Sequence, residues 1–441
     1  MRAPVALRPQ QLQDDLNNFY RGPDGRLQLG SFGLMFGRNR RVFDDPAAEA
    51  AGLLLRLGIA ILAIGVPCGA VVSRRLLFVL MPVGAVLVVI GGMLMPGARG
   101  RLSNLRPLAT SPLVLVTLFL VFWAGLSLLW TPVAELAVER FLKTAGTVLI
   151  ALFAMVALPR HVKASNSNLL PIGVAAAALA IVCVGLLAPS ALRGSETDGT
   201  TLQRATIGVV VLAWPALGAL ALRQRVAAAG VIAVAVAIAA VVVWMPNALA
   251  ALIVALLTFS MAYSNPPLAG RILAFVAVVV ILAAPAIPLA LQPLLPERSD
   301  PSGAIATFHT WAQIVRAEGL RLITGHGFDT SVRAAAVGFL PAQAPRGILF
   351  EVWYELGLLG AASVAALAWS AFRNAGEAAP AIAPFLLAAL SCAFTIAVAG
   401  LSVSQLWWVT LLAVVAVCFA IVLRGHHRGE RSVVTRRRPA L

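Results

Sequence analysis

Charge is what this chain has least of. Only 12% of its 441 residues are Asp, Glu, Lys or Arg, whereas 60% are hydrophobic and the mean hydropathy is +0.91. A soluble protein of this length needs polar side chains to coat its surface, so the composition excludes a soluble globular enzyme or binding module. Lipid is the solvent that tolerates it. Cysteine is scarce too, and Cys68, Cys183, Cys392 and Cys418 all fall inside apolar runs. None has metal-ligand spacing and no pair makes a disulfide framework, so they read as small buried hydrophobes. No cleavable signal peptide is visible. The first apolar run starts near Ala50, too late for one, and is expected to act as an uncleaved start-transfer helix. No convincing internal repeat appears.

Acidic residues are the rarer sign, 18 against 34 basic ones, which leaves a net charge of +16. The cations cluster in the termini and in short loops between apolar runs. That distribution fits the positive-inside rule and anionic cytoplasmic lipid, and it argues against a nucleic-acid stripe.

What is there is a series of apolar runs, at about 50–72, 76–95, 113–130, 141–158, 169–188, 206–222, 226–244, 248–263, 272–291, 348–372, 380–399 and 406–423. Most reach the ~20 residues a helix needs to span the hydrocarbon core, and open strands cannot satisfy their backbone in lipid. The expected fold is therefore all-α, a polytopic membrane protein of about 12 transmembrane helices. Arg99, Arg101 and Arg106, Arg160 and Lys163, Arg223 and Arg225, Arg271, and Arg373 fall in alternate loops, which puts both termini in the cytoplasm, with Arg74 and Arg75 as the one clear violation. The expected organisation is a cytoplasmic tail (1–48, with a short amphipathic helix around Pro9–Tyr20), nine spans (49–291), one long periplasmic loop (292–347), three spans (348–423) and a basic tail (424–441).

The chemistry-bearing residues gather on the expected external side. Leu126–Lys143 reads LSLLWTPVAELAVERFLK: a helix ends at Trp130, a Thr-Pro turn follows, and Glu135, Glu139, Arg140 and Lys143 come at a second amphipathic start. Its bland reading is an interfacial anchor in the aromatic belt. In the loop 189–207, Arg204 stands directly before the sixth apolar run. A guanidinium there suits phosphate, or equally a lipid headgroup or Glu196. The long loop holds His309, Trp311, Arg316, Arg321, Gly325-His326-Gly327-Phe328-Asp329, Arg333 and Arg346, with helical periodicity over Trp311–Ile323 ended by the Gly-His-Gly turn. His309 and His326 are candidate bases, although loop histidines are usually just solvated. Gly325-x-Gly327 is no nucleotide site, because no strand precedes it. Finally, GILFEVWYELGLLG (Gly347–Gly360) sets Glu351 and Glu355 one helical turn apart. They either complement the helix dipole, orient an arginine, or act as a base for a sugar hydroxyl.

Three segments in this order resemble the O-antigen ligase and polymerase family of bacterial inner-membrane glycan transferases. They are Leu126–Lys143, the Trp-led helix and Gly-x-Gly turn FHTWAQIVRAEGLRLITGHGFDTS (Phe308–Ser331), and the Phe-x-x-x-x-Glu-Leu-Gly-x-x-Gly helix (Phe350–Gly360). The resemblance implies transfer of a glycan from undecaprenyl diphosphate to an acceptor hydroxyl at the periplasmic face. The acceptor is a lipid A–core sugar in a ligase and another carrier-linked glycan in a polymerase. It implies no metal or other cofactor. Arg204 and Arg346 would bind the diphosphate, while His309, His326 or Glu351 would serve as base. Two departures stand out. Family ligases show Pro-His-Asn where this chain has Pro345-Arg346-Gly347, and many relatives carry an arginine at the position of Thr307. An arginine is no base at neutral pH, so Arg346 is left with charge stabilisation. The competing readings are a polysaccharide transporter, which should carry ionisable residues at mid-membrane, and a non-catalytic assembly partner. Mid-helix charges are almost absent.

Overall fold

The computed structural model describes residues 46–73, 75–95, 110–159, 162, 164–187, 196–294, 304–317, 319, 321–336, 338, 340–341, 344–345, 347–399 and 406–434. The tail 1–45 with its expected amphipathic helix, the loop cations Arg74, Arg99, Arg101, Arg106, Arg160, Lys163 and Arg193, and the candidate Arg346 lie outside them. The chain forms two compact units, Met1–Ala50 and Ala51–Leu441, and the second carries the helical bundle.

All regular structure among the described residues is helical. The elements are α1 (Pro46–Ala60), α2 (Val66–Val72), α3 (Leu76–Leu94), α4 (Pro112–Leu126), α5 (Ala134–Ala157), α6 (Ala164–Ser167), α7 (Leu169–Leu187), α8 (Glu196–Ala221) and α9 (Val226–Val242). They continue as α10 (Pro246–Ser264), α11 (Pro266–Ala283), α12 (Ala286–Leu291), α13 (Ala304–Ala317), α14 (Arg321–Thr324), α15 (Thr330–Ala336), α16 (Ile348–Gly376), α17 (Ala383–Val398) and α18 (Leu406–Val434). Ten helical stretches among the described residues are long and apolar enough to cross a membrane, and α9 and α17 are shorter apolar helices. Their outward faces carry large apolar side chains, among them Leu53, Phe122, Leu142, Val231 and Leu257, each more than half exposed. Water would not tolerate such a belt; lipid would.

Proline and small residues shape the packing. Pro67 has no N–H for the Ala63 carbonyl, and the helix widens just before it into a π turn, Ile61–Gly65. A Cβ on Gly173 of α7 would stand 2.0 Å from that same Ala63 carbonyl oxygen, so only glycine lets the two backbones meet. The central helix is α8, with 83% of its apolar span buried, which is more than any other span. It packs on α2, α7, α9, α17 and α18. A second cluster joins Ile281, Trp311, Ala334, Phe350 and Tyr354, and so fastens α13 and α15 to the start of α16.

Several helices outrun their apolar stretches. α5 starts at Ala134 instead of 141, and α18 continues to Val434, past the expected boundary at 423. α8 starts at Glu196, so Arg204 lies inside a helix and not in a loop before it. Hydropathy marks the length of chain that lipid can bury, whereas a helix continues wherever its backbone bonds close. The expected helix Trp311–Ile323 is in fact two, α13 and the single turn α14.

Candidate functional site

The site grows out of a break in a helix. In α16, Gly357 has φ 64° and ψ −159°, a conformation essentially reserved for glycine. A break takes from the preceding turn the N–H donors that would have followed it, and a buried carbonyl cannot stay unpaired. Outside donors arrive. His326 N–H donates to the Tyr354 carbonyl at 2.9 Å, and Gly327 N–H to the Glu355 carbonyl at 2.9 Å. The Trp123 indole N–H of α4 donates to the Leu356 carbonyl at 2.9 Å. The Gly-His-Gly turn is thus a cap for a broken helix. Its glycines are forced by closeness: a Cβ on Gly325 (φ 74°) would lie 2.2 Å from the Glu355 oxygen, and one on Gly327 (φ 102°) 2.7 Å from the Thr131 Cα. The same device recurs nearby, where Pro285 cannot donate to the Ile281 carbonyl and the Trp353 indole does so at 2.8 Å.

Docking the turn assembles a buried polar cluster. Glu355, 6% exposed, accepts the Asp329 N–H at 3.0 Å, the Ser331 N–H at 3.1 Å and the Ser331 hydroxyl at 2.5 Å. Asp329 takes φ 62°, which aspartate tolerates better than most side chains. Its carboxylate is wholly buried and bridges two guanidinium groups: Oδ1 accepts from Arg140 Nη1 of α5, and Oδ2 from Arg333 Nε of α15 at 3.2 Å. The two arginine side chains are 26% and 35% exposed. The α4–α5 corner closes the other side. Ser127 Oγ accepts the Phe328 N–H at 3.1 Å, Thr131 Oγ1 donates to the Phe328 carbonyl at 3.2 Å, and Phe141 meets the Phe328 ring edge-on.

These contacts bring the three segments singled out in the sequence to one place. No protein-family model, curated protein or solved structure matches the chain. Geometry alone is left to say what these residues can do.

Of the candidate bases, His326 is in the cluster. It is buried, stacked on Tyr354 at 4.0 Å, with Nδ1 3.0 Å from the Tyr354 carbonyl. A carbonyl only accepts, so Nδ1 carries a proton. Glu351 is buried one turn before Glu355. His309 lies on α13, whose Trp311 packs edge-on against Phe350, and the His309 Nε2 is buried without a hydrogen-bond partner among the described residues. Arg204 is in another neighbourhood. Its guanidinium stands 5.6 Å from the Trp407 ring centre, beside a crevice of about 20 Å³ lined by Val66, Leu77 and Leu411. Among the described residues, no three His, Cys, Asp or Glu come together to hold a metal ion.

Sequence patterns do not mark Asp329, Arg140 and Arg333 as a unit. The one local signal is the four-residue spacing of Asp329 and Arg333 on a helix start. Next to the cluster, on an adjacent face of α16, runs an apolar groove of about 260 Å³ lined by residues including Ile348, Trp353, Ala368, Ala393 and Trp408.

Proposed function

We propose that this protein is a multi-pass inner-membrane transferase that moves a glycan from undecaprenyl diphosphate to a lipid A–core sugar hydroxyl at the periplasmic face. The observation that carries the reading is the meeting of the three family-like segments, far apart in the chain, around one partly exposed pair of arginines. In this reading α9 and α17 also span, which makes twelve crossings, both termini are cytoplasmic, and the α4–α5 corner, the turn and the start of α16 face the periplasm. The chemistry asks little of the protein. Diphosphate is already a good leaving group, so cations must hold its charge while a base or a positioned dipole prepares the acceptor hydroxyl. Glu351 and His326 are the base candidates beside the cluster, with His309 further out. The groove along α16 would take part of the isoprenoid chain, since its walls are apolar. Arg204 and Arg346 remain diphosphate candidates of this reading, and Arg204→Ala tests the first of them.

A deletion strain tests the proposal. Loss of long-chain lipopolysaccharide, with carrier-linked polymer accumulating, supports a ligase. Single repeat units on the core would point to the polymerase, and the departure from the ligase pattern at Pro345-Arg346-Gly347 is what keeps a non-catalytic assembly partner as a further alternative. Unchanged surface glycans refute both.

A further inference from the structure

We infer that Trp244 anchors the α9–α10 hairpin in the outer membrane interface, and that the flank α9–α11 pinned by it is a lipid-binding surface fitted to a bilayer thinner than the usual one. The inference rests on α9 being a span, as in the reading above, and takes nothing from the transferase chemistry.

α9 ends in a Schellman turn: the Trp244 N–H donates to the Val241 carbonyl at 3.0 Å, and the Met245 N–H to the Ala240 carbonyl at 3.3 Å. The left-handed residue of such a turn is usually glycine. Here it is Trp244, at φ 51°. A bulky side chain is strained in that conformation, and strain is kept where something uses it. Packing within the fold does not use it, because Trp244 is 74% exposed. The membrane interface does, since an indole settles there with its apolar body at the hydrocarbon edge and its N–H among the headgroups. The flank beneath this anchor is short. α9, α10 and α11 have 17, 19 and 18 residues, or about 25, 28 and 27 Å of helix, against ~30 Å for a typical hydrocarbon core, and any tilt shortens them further. Val231, Val234, Ile253, Leu256, Leu257 and Phe275, each more than half exposed, make its outward face apolar. Its other margin is cationic. Exposed Arg225 opens α9 and exposed Arg271 lies on the second turn of α11, where anionic cytoplasmic headgroups complement them. An aromatic edge, an apolar face and a cationic edge together select lipid as the occupant. With both edges pinned, the helices cannot slide to share the mismatch, so the bilayer has to thin. The depth set at Trp244 also reaches the groove beside α16. Asn247 Nδ2 of α10 donates to the Ala399 carbonyl just past α17 at 3.2 Å, and α10 packs along α17, which lines that groove through Ala393.

Nitroxide labels read the depth of α9 in the full chain, with its native cysteines replaced by alanine, in phosphatidylcholine bilayers of fourteen- or twenty-two-carbon chains. Collision with oxygen and with a water-soluble nickel chelate places each label relative to the hydrocarbon edge. Val226→Cys and Val241→Cys label the two exposed ends of α9. Both labels should stay within about 3 Å of the edge in either lipid, because the bilayer gives way; a larger shift at either end in the thick lipid overturns the inference. In Trp244→Gly the Val241 label should sink by at least about 3 Å more in the thick lipid, and an unchanged depth overturns the anchor. That variant should fold, since glycine relaxes the left-handed position, and its melting temperature in detergent should hold or rise. A fall of more than about five degrees means that the fold itself needs the ring, and overturns the anchor too. Val234→Cys, midway along the exposed face, separates the remaining outcomes. Contact with oxygen but not with nickel is expected there. Contact with neither means that protein covers the flank, a second copy or another chain, and overturns the lipid surface. Nickel contact means that α9 is no span, which sinks the twelve-crossing reading together with the inference. The other failures sink the inference alone, and glycan transfer enters none of them.

Discussion

Asp329→Asn is the most exacting perturbation of this arrangement, because it removes one charge and little else. Asparagine accepts the left-handed backbone that Asp329 adopts, so φ 62° adds no new strain. The backbone N–H to Glu355 at 3.0 Å is untouched. What disappears is the negative charge between two guanidinium groups. Breaking a buried ion pair from one side costs about 3–5 kcal/mol. Arg140 and Arg333 are 26% and 35% exposed, so water relieves part of that and the low end, about 3 kcal/mol, is expected. The loss should appear first as local opening of the turn, not as global unfolding. At about 1.4 kcal/mol per decade, hydrogen-exchange protection of the Asp329 and Ser331 amides should fall roughly a hundredfold. Asp329→Gly is the control for backbone strain, since glycine relaxes the left-handed position altogether. It should lose at least as much protection as the asparagine variant. If Asp329→Asn keeps its protection within about threefold, or if glycine protects better than asparagine, then charge is not what fastens this turn.

Four further outcomes are expected. Trp123→Phe keeps the aromatic bulk but leaves the Leu356 carbonyl without its donor, which should cost about 1–3 kcal/mol and lower the melting temperature in detergent; an unchanged melting temperature refutes the capping role. Gly357→Ala places a Cβ 2.4 Å from the Ile323 oxygen in a glycine-only conformation, so the turn should undock and its hydrogen exchange accelerate. Ala393→Trp fills the groove beside α16 and should abolish transfer while thermal stability holds, whereas full transfer with a blocked groove removes the isoprenoid chain from it. His326→Asn retains a donor for the Tyr354 carbonyl, so fold and transfer should both survive within about tenfold; a loss beyond a hundredfold in a folded variant makes His326 the base.

The helices were legible in the sequence because most of the apolar runs are long and lipid demands it. Their ends were not. The first turns of α5 and α8 are polar, and a polar helical turn outside the hydrocarbon looks like a loop to any measure of hydropathy. The site was legible as three segments but not as a geometry. Gly325 and Gly327 read as turn residues, which they are, yet nothing local announces that the turn caps a break in another helix. Gly357 looks like an ordinary small residue of a membrane helix, where glycine is common. The partner of Arg140 is 189 residues away, and charge spacing along a helix cannot reveal it. The sequence leaves Glu355 free to orient an arginine, and it does so at one remove, by holding the backbone of Asp329.

An unbroken α16 would satisfy its own carbonyls and ask nothing of the turn. The break at Gly357 leaves acceptors that lipid cannot serve, so chain from elsewhere has to dock on them. The two N–H groups that dock, at His326 and Gly327, stand two or three residues before Asp329. Their register on α16 fixes where the carboxylate lies, and the carboxylate fixes where Arg140 and Arg333 converge. A strained backbone is retained where the surroundings hold it and function uses it. The same logic explains why the glycines and the arginines belong to one device. Without the break the turn has no seat, and without the turn Arg140 and Arg333, on different helices, have no common carboxylate to bring them together.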